Sequence, residues 1–462
     1  MNDSSTDATI APWHFLEDLL ERGDLQGLQD EIGALGVRET ARAMSRLDHE
    51  TNRRILTGLD AAFAAGLLEE MVAVQAGELL GHLPPEKAAP ILEAMKSAAA
   101  ADVMGELPAE MAEAVLRSLS PEKAREARRL ARYAGDVAGG IMITEYLAFP
   151  VSWSVRQVIE ALRDDSEKYA TYSIQYTYVL DEAGKLVGVL PLRDMLLTPG
   201  KTEVKRLMIA HPLAVQDTDS LDTLAEFFEA HAFLGVPVVD SENRLVGVVR
   251  RSDALEAVGD RAQSDFLKVQ GIVGGDELRS MPTMLRSRRR LSWLVINIGL
   301  NFIAASVIGF YTDTLEQVIA LAIFLPIISD MSGCAGSQAV AVTMRELTLG
   351  LIKPRDAFHV MLKELGVGII CGVVLGLIIA AVAWIAPFGI WTGSIELGIV
   401  LGAALALNTV AAALMGGATP LVLKACKQDP ALAAVPLLTT LTDMGGFFLV
   451  LSFATYMITT LT

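Results

Sequence analysis

The 462-residue chain has little of what catalytic and nucleic-acid-binding proteins are built from. Its three cysteines, Cys334, Cys371 and Cys426, lie at no metal-site spacing, which excludes a disulfide framework and a zinc site. The six histidines (His14, His49, His82, His211, His231 and His359) show no metal-ligand spacing either, and each reads as a surface or packed residue. No glycine-rich phosphate loop with its lysine is present, and carboxylate pairs in so acidic a chain read as solvated faces. Nothing in the sequence calls for an enzyme. Positive charge is scarce, with 38 Lys and Arg against 55 Asp and Glu for a net −17, so no basic face is expected to meet nucleic acid. Residues 1–10 carry no Lys or Arg and no apolar run, so no secretory signal is expected and the acidic part should stay in the cytoplasm.

What the chain does have is apolar surface. Hydrophobic residues make up 52% of it and mean hydropathy is +0.41, which fits poorly with the acidity of a single soluble domain. Dividing the chain after Arg290 removes the conflict. Beyond that point only Arg345, Lys353, Arg355, Lys363, Lys424 and Lys427 are basic, so an acidic soluble half precedes an apolar one. Five stretches, 291–311, 318–344, 366–387, 397–423 and 431–461, are long enough to cross a hydrocarbon core. Arg286, Arg288, Arg289 and Arg290 precede the first, and the six basic residues just named fall between spans two and three or four and five. The opposite segments, 312–317 and 388–396, contain no Lys or Arg, which puts the N-terminus inside and the C-terminus outside.

Asp330 and Asp443 are the acids placed well within these spans, and no intramembrane Lys or Arg is available to pair with them. A carboxylate at that depth normally faces water, a cation or a partner, so both are candidate cation ligands. For Asp330 a second reading stays open, a polar, protein-packed helix break at Ser329–Gly333. Pro326, Gly333, Gly336 and Pro436 suggest broken or kinked backbone near these acids. Gly416–Gly417 and Gly445–Gly446 read as close helix packing.

The soluble half carries two repeats. Leu35, Leu47, Leu59, Met71, Leu83, Met95, Leu107 and Leu119 recur every twelve residues, and Pro-acid starts follow several of them, as in Leu83-Pro84-Pro85-Glu86. This predicts short helices stacked into a superhelix. Further on, Tyr178-Val-Leu-Asp181, Leu186-Val-Gly188-Val189 and Asp194 return 59 residues later as Pro237-Val-Val-Asp240, Leu245-Val-Gly247-Val248 and Asp253. Each copy predicts two strands joined by a turn and then a helix start, with an amphipathic helix ahead, near 154–162 and 220–228. The order resembles a tandem cystathionine-β-synthase (CBS) pair. Pro191 and Arg250 stand where nucleotide-binding copies usually have Ser or Thr, so nucleotide in the CBS cleft is not expected.

A helical superhelix, a CBS pair and five spans in this order resemble the MgtE family of magnesium transporters. Tyr133-Ala-Gly-Asp136-Val-Ala-Gly-Gly-Ile-Met142 is similar to that family's signature entering the CBS pair. Pro326 to Gln338 and Asp429-Pro430 with Pro436 to Asp443 are similar to its second-span and last-span motifs. The resemblance implies a multidomain chain: an all-α superhelical domain at 12–132, α/β CBS domains at 133–200 and 201–259, a linking plug helix at 260–290, and an all-α transmembrane domain of five helices at 291–462. It further implies a homodimer in a prokaryotic inner membrane. Its symmetry axis would be the pore, Asp443 the pore carboxylate and Mg²⁺ the transported ion, with Mg²⁺ also regulatory among cytosolic acids. By position those acids would be Asp102, Asp136, Asp222, Asp253, Glu256 and Asp265.

The departures are as informative as the matches. Asp330 stands where the family usually has Gly, which would add a second pair of pore acids. Ala98, Ala99, Arg261 and Ser264 stand where acids are usual, so Mg²⁺-dependent closure is expected to be weakened. Competing readings are a carrier of another divalent such as Co²⁺ or Mn²⁺, an Mg²⁺/Na⁺ exchanger, and a membrane-anchored CBS sensor that moves no ion.

Overall fold

The computed structural model describes residues 12–461 apart from 45, 170, 171, 173–175, 278, 280, 282 and 386–394. The chain forms two compact units, Met1–Asp260 and Arg261–Thr462. In the first, ten helices follow one another: α1 (Pro12–Glu21), α2 (Leu25–Leu35), α3 (Val37–Met44), α4 (His49–Gly58), α5 (Ala61–Glu69), α6 (Ala73–Gly81), α7 (Pro85–Ala94), α8 (Ser97–Glu106), α9 (Ala109–Ser118) and α10 (Pro121–Leu130). The twelve-residue period is one helix plus its caps. Leu59, Met95, Leu107 and Leu119 are C-caps in extended conformation whose N–H groups bond back into the helix just ended. The next residue in each case, Asp60, Lys96, Pro108 or Ser120, is already the N-cap of the following helix. Asp48, Asp60 and Ser120 satisfy free amides of the turn they open, and Pro85 and Pro121 occupy first-turn positions where no amide partner is needed. Because the repeated apolar residue sits at the turn, it points into a shared core: Leu47, Leu83, Met95, Leu107 and Leu119 are buried there, with Leu59 and Met71 packed against them.

The CBS region opens with α11 (Ala138–Ile141), β1 (Leu147–Pro150), α12 (Val155–Asp164), α13 (Ser166–Tyr169), β2 (Tyr176–Leu180), β3 (Leu186–Pro191), α14 (Leu192–Leu197), α15 (Val204–Leu207) and β4 (Ile209–Ala210). It continues with β5 (Val215–Gln216), α16 (Leu221–Ala230), β6 (Gly235–Val239), β7 (Leu245–Arg250) and α17 (Arg251–Val269). The two sheets are β1-β2-β3-β4 and β5-β6-β7, each with one parallel pair followed by an antiparallel hairpin. The expected copies are therefore present: Ser154 and Ser220 cap the amphipathic helices, and Asp194 and Asp253 lie in the first turn after each hairpin. Gly184 and Asn243 adopt φ of 77° and 64° in the hairpin turns, a conformation glycine and asparagine tolerate. The Tyr133–Met142 signature has a packing cause. A Cβ at Gly139 would stand 2.4 Å from the Tyr133 ring, and the Tyr133 hydroxyl donates to Asp217 at 2.9 Å.

In the second unit the last turns of α17 lead through an irregular segment to α18 (Thr283–Gly309), α19 (Thr312–Gln317), α20 (Leu321–Thr348), a 3₁₀ turn at Pro354–Asp356, α21 (Ala357–Ile385), α22 (Ile395–Ala425) and α23 (Pro430–Leu461). The expected single helix over 260–290 is not observed. Gly271, Gly274 and Gly275 take φ of 79°, 104° and 74°, so the α17 helix ends at Val269 and a new one starts at Thr283. Three groups hold this turn to α18. Trp293 lies against Gly271, Arg289 pairs with Asp276 at 2.5 Å, and the nearly inaccessible Glu277 pairs with Arg286 and Arg290. The two guanidiniums hold the Glu277 carboxyl below its ordinary range.

Four helices, α18, α21 with its preceding turn, α22 and α23, are long and apolar enough to cross a membrane by length and composition. A fifth long helix, α20, has 28 residues and carries Ser329, Asp330 and Ser332. Glycines set the helix spacing. Cβ atoms at Gly372, Gly376 and Gly402 would each lie within 2.7 Å of a facing carbonyl oxygen, so α21 and α22 meet backbone to backbone. Gly416 does the same against Gly336 of α20, and a Cβ on Gly417 would stand 2.9 Å from the Glu364 side chain of α21. Those two glycines are packing positions, as expected.

Candidate functional site

Asp443 is half-buried near the middle of α23, and Asp330 is exposed on α20. No basic side chain pairs with either among the described residues. Instead the Ser329 hydroxyl, reaching across from α20, donates to Asp443 Oδ1. Ser329 and Asp330 are consecutive, so one helical step of about 100° separates the serine that holds Asp443 from the acid beside it. The two carboxylates are near enough for their charges to act on one another. Helix α20 runs unbroken past Pro326, Gly333 and Gly336, and α23 past Pro436, so the backbone breaks expected at these residues are absent. In α23 the Thr440 hydroxyl donates to the Pro436 carbonyl at 2.8 Å, and Thr439 and Thr442 bond back to Val435 and Thr439. Side-chain donors of this kind let a helix keep its path through a proline at membrane depth.

The same turn also meets Asn408 of α22, buried, its Nδ2 donating to the Thr442 carbonyl at 2.9 Å. Ser329 and Asn408 are the polar residues that sequence reasoning missed. Ser329 gave a signal only as the neighbour of Asp330. Asn408 gave one only as an amide in an otherwise apolar run.

The cytosolic acids are scattered. Asp102 is exposed on α8, one turn ahead of Glu106. Asp136 and Asp222 are brought close, because Val137 bridges Ser220 and the Leu221 N–H donates to the Asp136 carbonyl. Asp253 is already engaged: Arg250 Nε and Nη2 donate to its two oxygens at 2.7 and 2.8 Å, and Ser252 adds a third bond. Glu256 is exposed one turn further along α17. Asp265 lies with Lys268 and Asp429, the Lys268 ammonium 3.1 Å from Asp429 at the start of α23. Burial raises the Asp265 carboxyl, with Lys268 and Arg261 opposing. Among the described residues no three His, Cys, Asp or Glu side chains converge to hold a metal ion. The described residues of one chain do not by themselves assemble a regulatory metal site.

Comparison with known proteins covers most of the chain. A family model described as divalent cation transporter, MgtE, matches residues 325–453. The MgtE intracellular N domain matches 35–136, and the CBS domain matches 135–198 and 204–260. The magnesium transporter MgtE of Bacillus subtilis (strain 168) is 31% identical over 338 residues, 73% of this chain and 73% of that protein. Its counterpart from Thermus thermophilus is 34% identical over 338 residues, again 73% of each. Among solved structures, the cytosolic domain of the Mg²⁺ channel MgtE in complex with ATP is 31% identical, covers 53% of this chain and 99% of that one, and has a TM-score of 0.49.

Proposed function

The chain belongs to the MgtE family of divalent cation transporters, and from that premise we propose that it carries Mg²⁺ across the inner membrane of a prokaryotic cell, through a homodimeric pore where two copies of Asp443 face one another. The observation that carries this reading is the Asp443 carboxylate itself. It sits at membrane depth without a basic partner, Ser329 occupies one of its oxygens, and Oδ2 accepts from no protein donor among the described residues. Mg²⁺ keeps much of its hydration shell and needs charge and oxygen rather than a closed protein cage, so a pair of such carboxylates is sufficient to hold it in passing. In this reading all five long helices span, α20 included, the N-terminal domains are cytoplasmic, and the C-terminus is outside.

Cytosolic control by Mg²⁺ is weak in this account. Asp253 is neutralised by Arg250, Ala98, Ala99, Arg261 and Ser264 replace expected acids, and Lys268 already counters Asp265 and Asp429. Exposed Asp330 supports a second reading, in which an added ring of acids admits Mn²⁺ or Co²⁺ as well. Growth of an Mg²⁺-starved bacterium deleted for its own transporters tests the proposal. The chain should restore growth at low external Mg²⁺, and a chain that rescues nothing while inserted in the membrane would leave a non-transporting sensor as the better reading.

A further inference from the structure

We propose that Asn408 is the positioning residue of the ion path, fixing the direction in which Asp443 points; the inference rests on the pore reading above. A buried amide inside an apolar membrane helix is costly unless its bonds are made. Asn408 is 1% exposed, and its donor goes to the carbonyl of Thr442, the residue immediately before Asp443. Successive residues on a helix differ by about 100° in azimuth, so an anchor on residue 442 sets the azimuth of residue 443. The approach is built into α23. A Cβ on Gly445 would stand 2.8 Å from Asn408 Oδ1 and one on Gly446 2.9 Å from Nδ2, so the amide fits only because two successive residues lack side chains. Ser329 of α20 acts on the carboxylate itself. One turn of α23 is thus held by α22 through its backbone and by α20 through its acid, which leaves Asp443 little freedom to turn toward lipid or toward the helix packing. A group that must meet a hydrated cation in fixed geometry gains from that restraint.

Proteoliposome uptake by the full-length chain tests the role. Asn408→Leu keeps the branched shape and removes the donor. The half-saturating Mg²⁺ concentration should rise roughly tenfold or more, and discrimination against Na⁺ should fall, per folded protein measured by size-exclusion chromatography. Asn408→Ser, which is shorter and leaves space rather than strain, covers the case in which the leucine variant does not fold. Gly446→Ala displaces the amide from the α23 side and should shift both quantities in the same direction. Wild-type half-saturation and selectivity in the folded variants would overturn the positioning role, because a residue that only packs would change yield and stability instead. Asp443→Asn, assayed alongside, separates the two claims. If it transports like the parent chain, the pore reading fails and the positioning role with it. If it is inactive while the Asn408 variants behave normally, the positioning role alone fails.

Discussion

Replacing Arg250 with serine should make the cytosolic region more responsive to Mg²⁺. In the native chain Asp253 is held by a two-pronged guanidinium bond at 2.7 and 2.8 Å, and a cation that uses Asp253 must first break it. Bidentate charge-assisted bonds are among the stronger polar contacts, but the two side chains retain 29% and 18% exposure, so the pair is screened and contributes about 1 kcal/mol. Removing that competition is worth about fivefold in affinity, since 1.4 kcal/mol corresponds to tenfold. The substitution also leaves one more uncompensated carboxylate, which acts in the same direction. The assay is chymotryptic cleavage of the 255–290 linker across an Mg²⁺ titration, a protease indifferent to the lost arginine. The parent chain should show protection only at high Mg²⁺, and Arg250→Ser should reach half-protection at about one-fifth of the parent's Mg²⁺ concentration. An unchanged midpoint, or sharp low-millimolar protection in the parent, would refute the reasoning that Arg250 silences this acid.

Asp330→Asn should alter conductance or selectivity among divalents and leave folding intact, as measured by competitive uptake of Mg²⁺ and Mn²⁺; a change seen only as lost stability in detergent would contradict a pore-facing Asp330. Gly376→Ala drives a Cβ to 2.6 Å from the Gly402 carbonyl oxygen and should cost about 1–3 kcal/mol, read as a lower melting temperature in detergent. The Glu277 pairs should respond to acid in a defined direction. Its carboxyl lies below its ordinary 4.5, so its stabilising contribution is complete above that pH and is lost as pH falls through the lower folded value. Hydrogen exchange of the 270–277 turn should therefore rise only below about pH 4.5, and Glu277→Gln should abolish that step.

The helical repeat is legible in sequence because each unit needs its own apolar C-cap, and the cap falls at a fixed distance from the next. The CBS hairpins are legible for a similar reason, since strand, turn residue and helix start recur at fixed offsets. What escapes is what period cannot encode. The glycines at 271, 274 and 275 end a helix that apolar and charged residues alone would continue, and their φ values, not their spacing, make the break. The Asn408–Thr442 bond joins residues 34 apart and the Ser329–Asp443 bond residues 114 apart, so neither leaves a local pattern. The pairing of Arg250 with Asp253, three residues apart on one turn, was open to sequence reasoning. It escaped because the arginine reads first as a missing serine and the aspartate as a retained ligand. The acid at 443 stands out for the opposite reason: at membrane depth an unpaired carboxylate is too costly to lack a use.

The central claim is that Asp443 lies on the path of the ion. It is tested most directly by divalent uptake into proteoliposomes holding equal amounts of the parent chain and the Asp443→Ala variant, across Mg²⁺, Mn²⁺ and Co²⁺. The account predicts Mg²⁺ uptake by the parent, and loss of uptake of all three ions in the variant, with the variant still folded and dimeric by size-exclusion chromatography. Undiminished Mg²⁺ uptake by Asp443→Ala would contradict it.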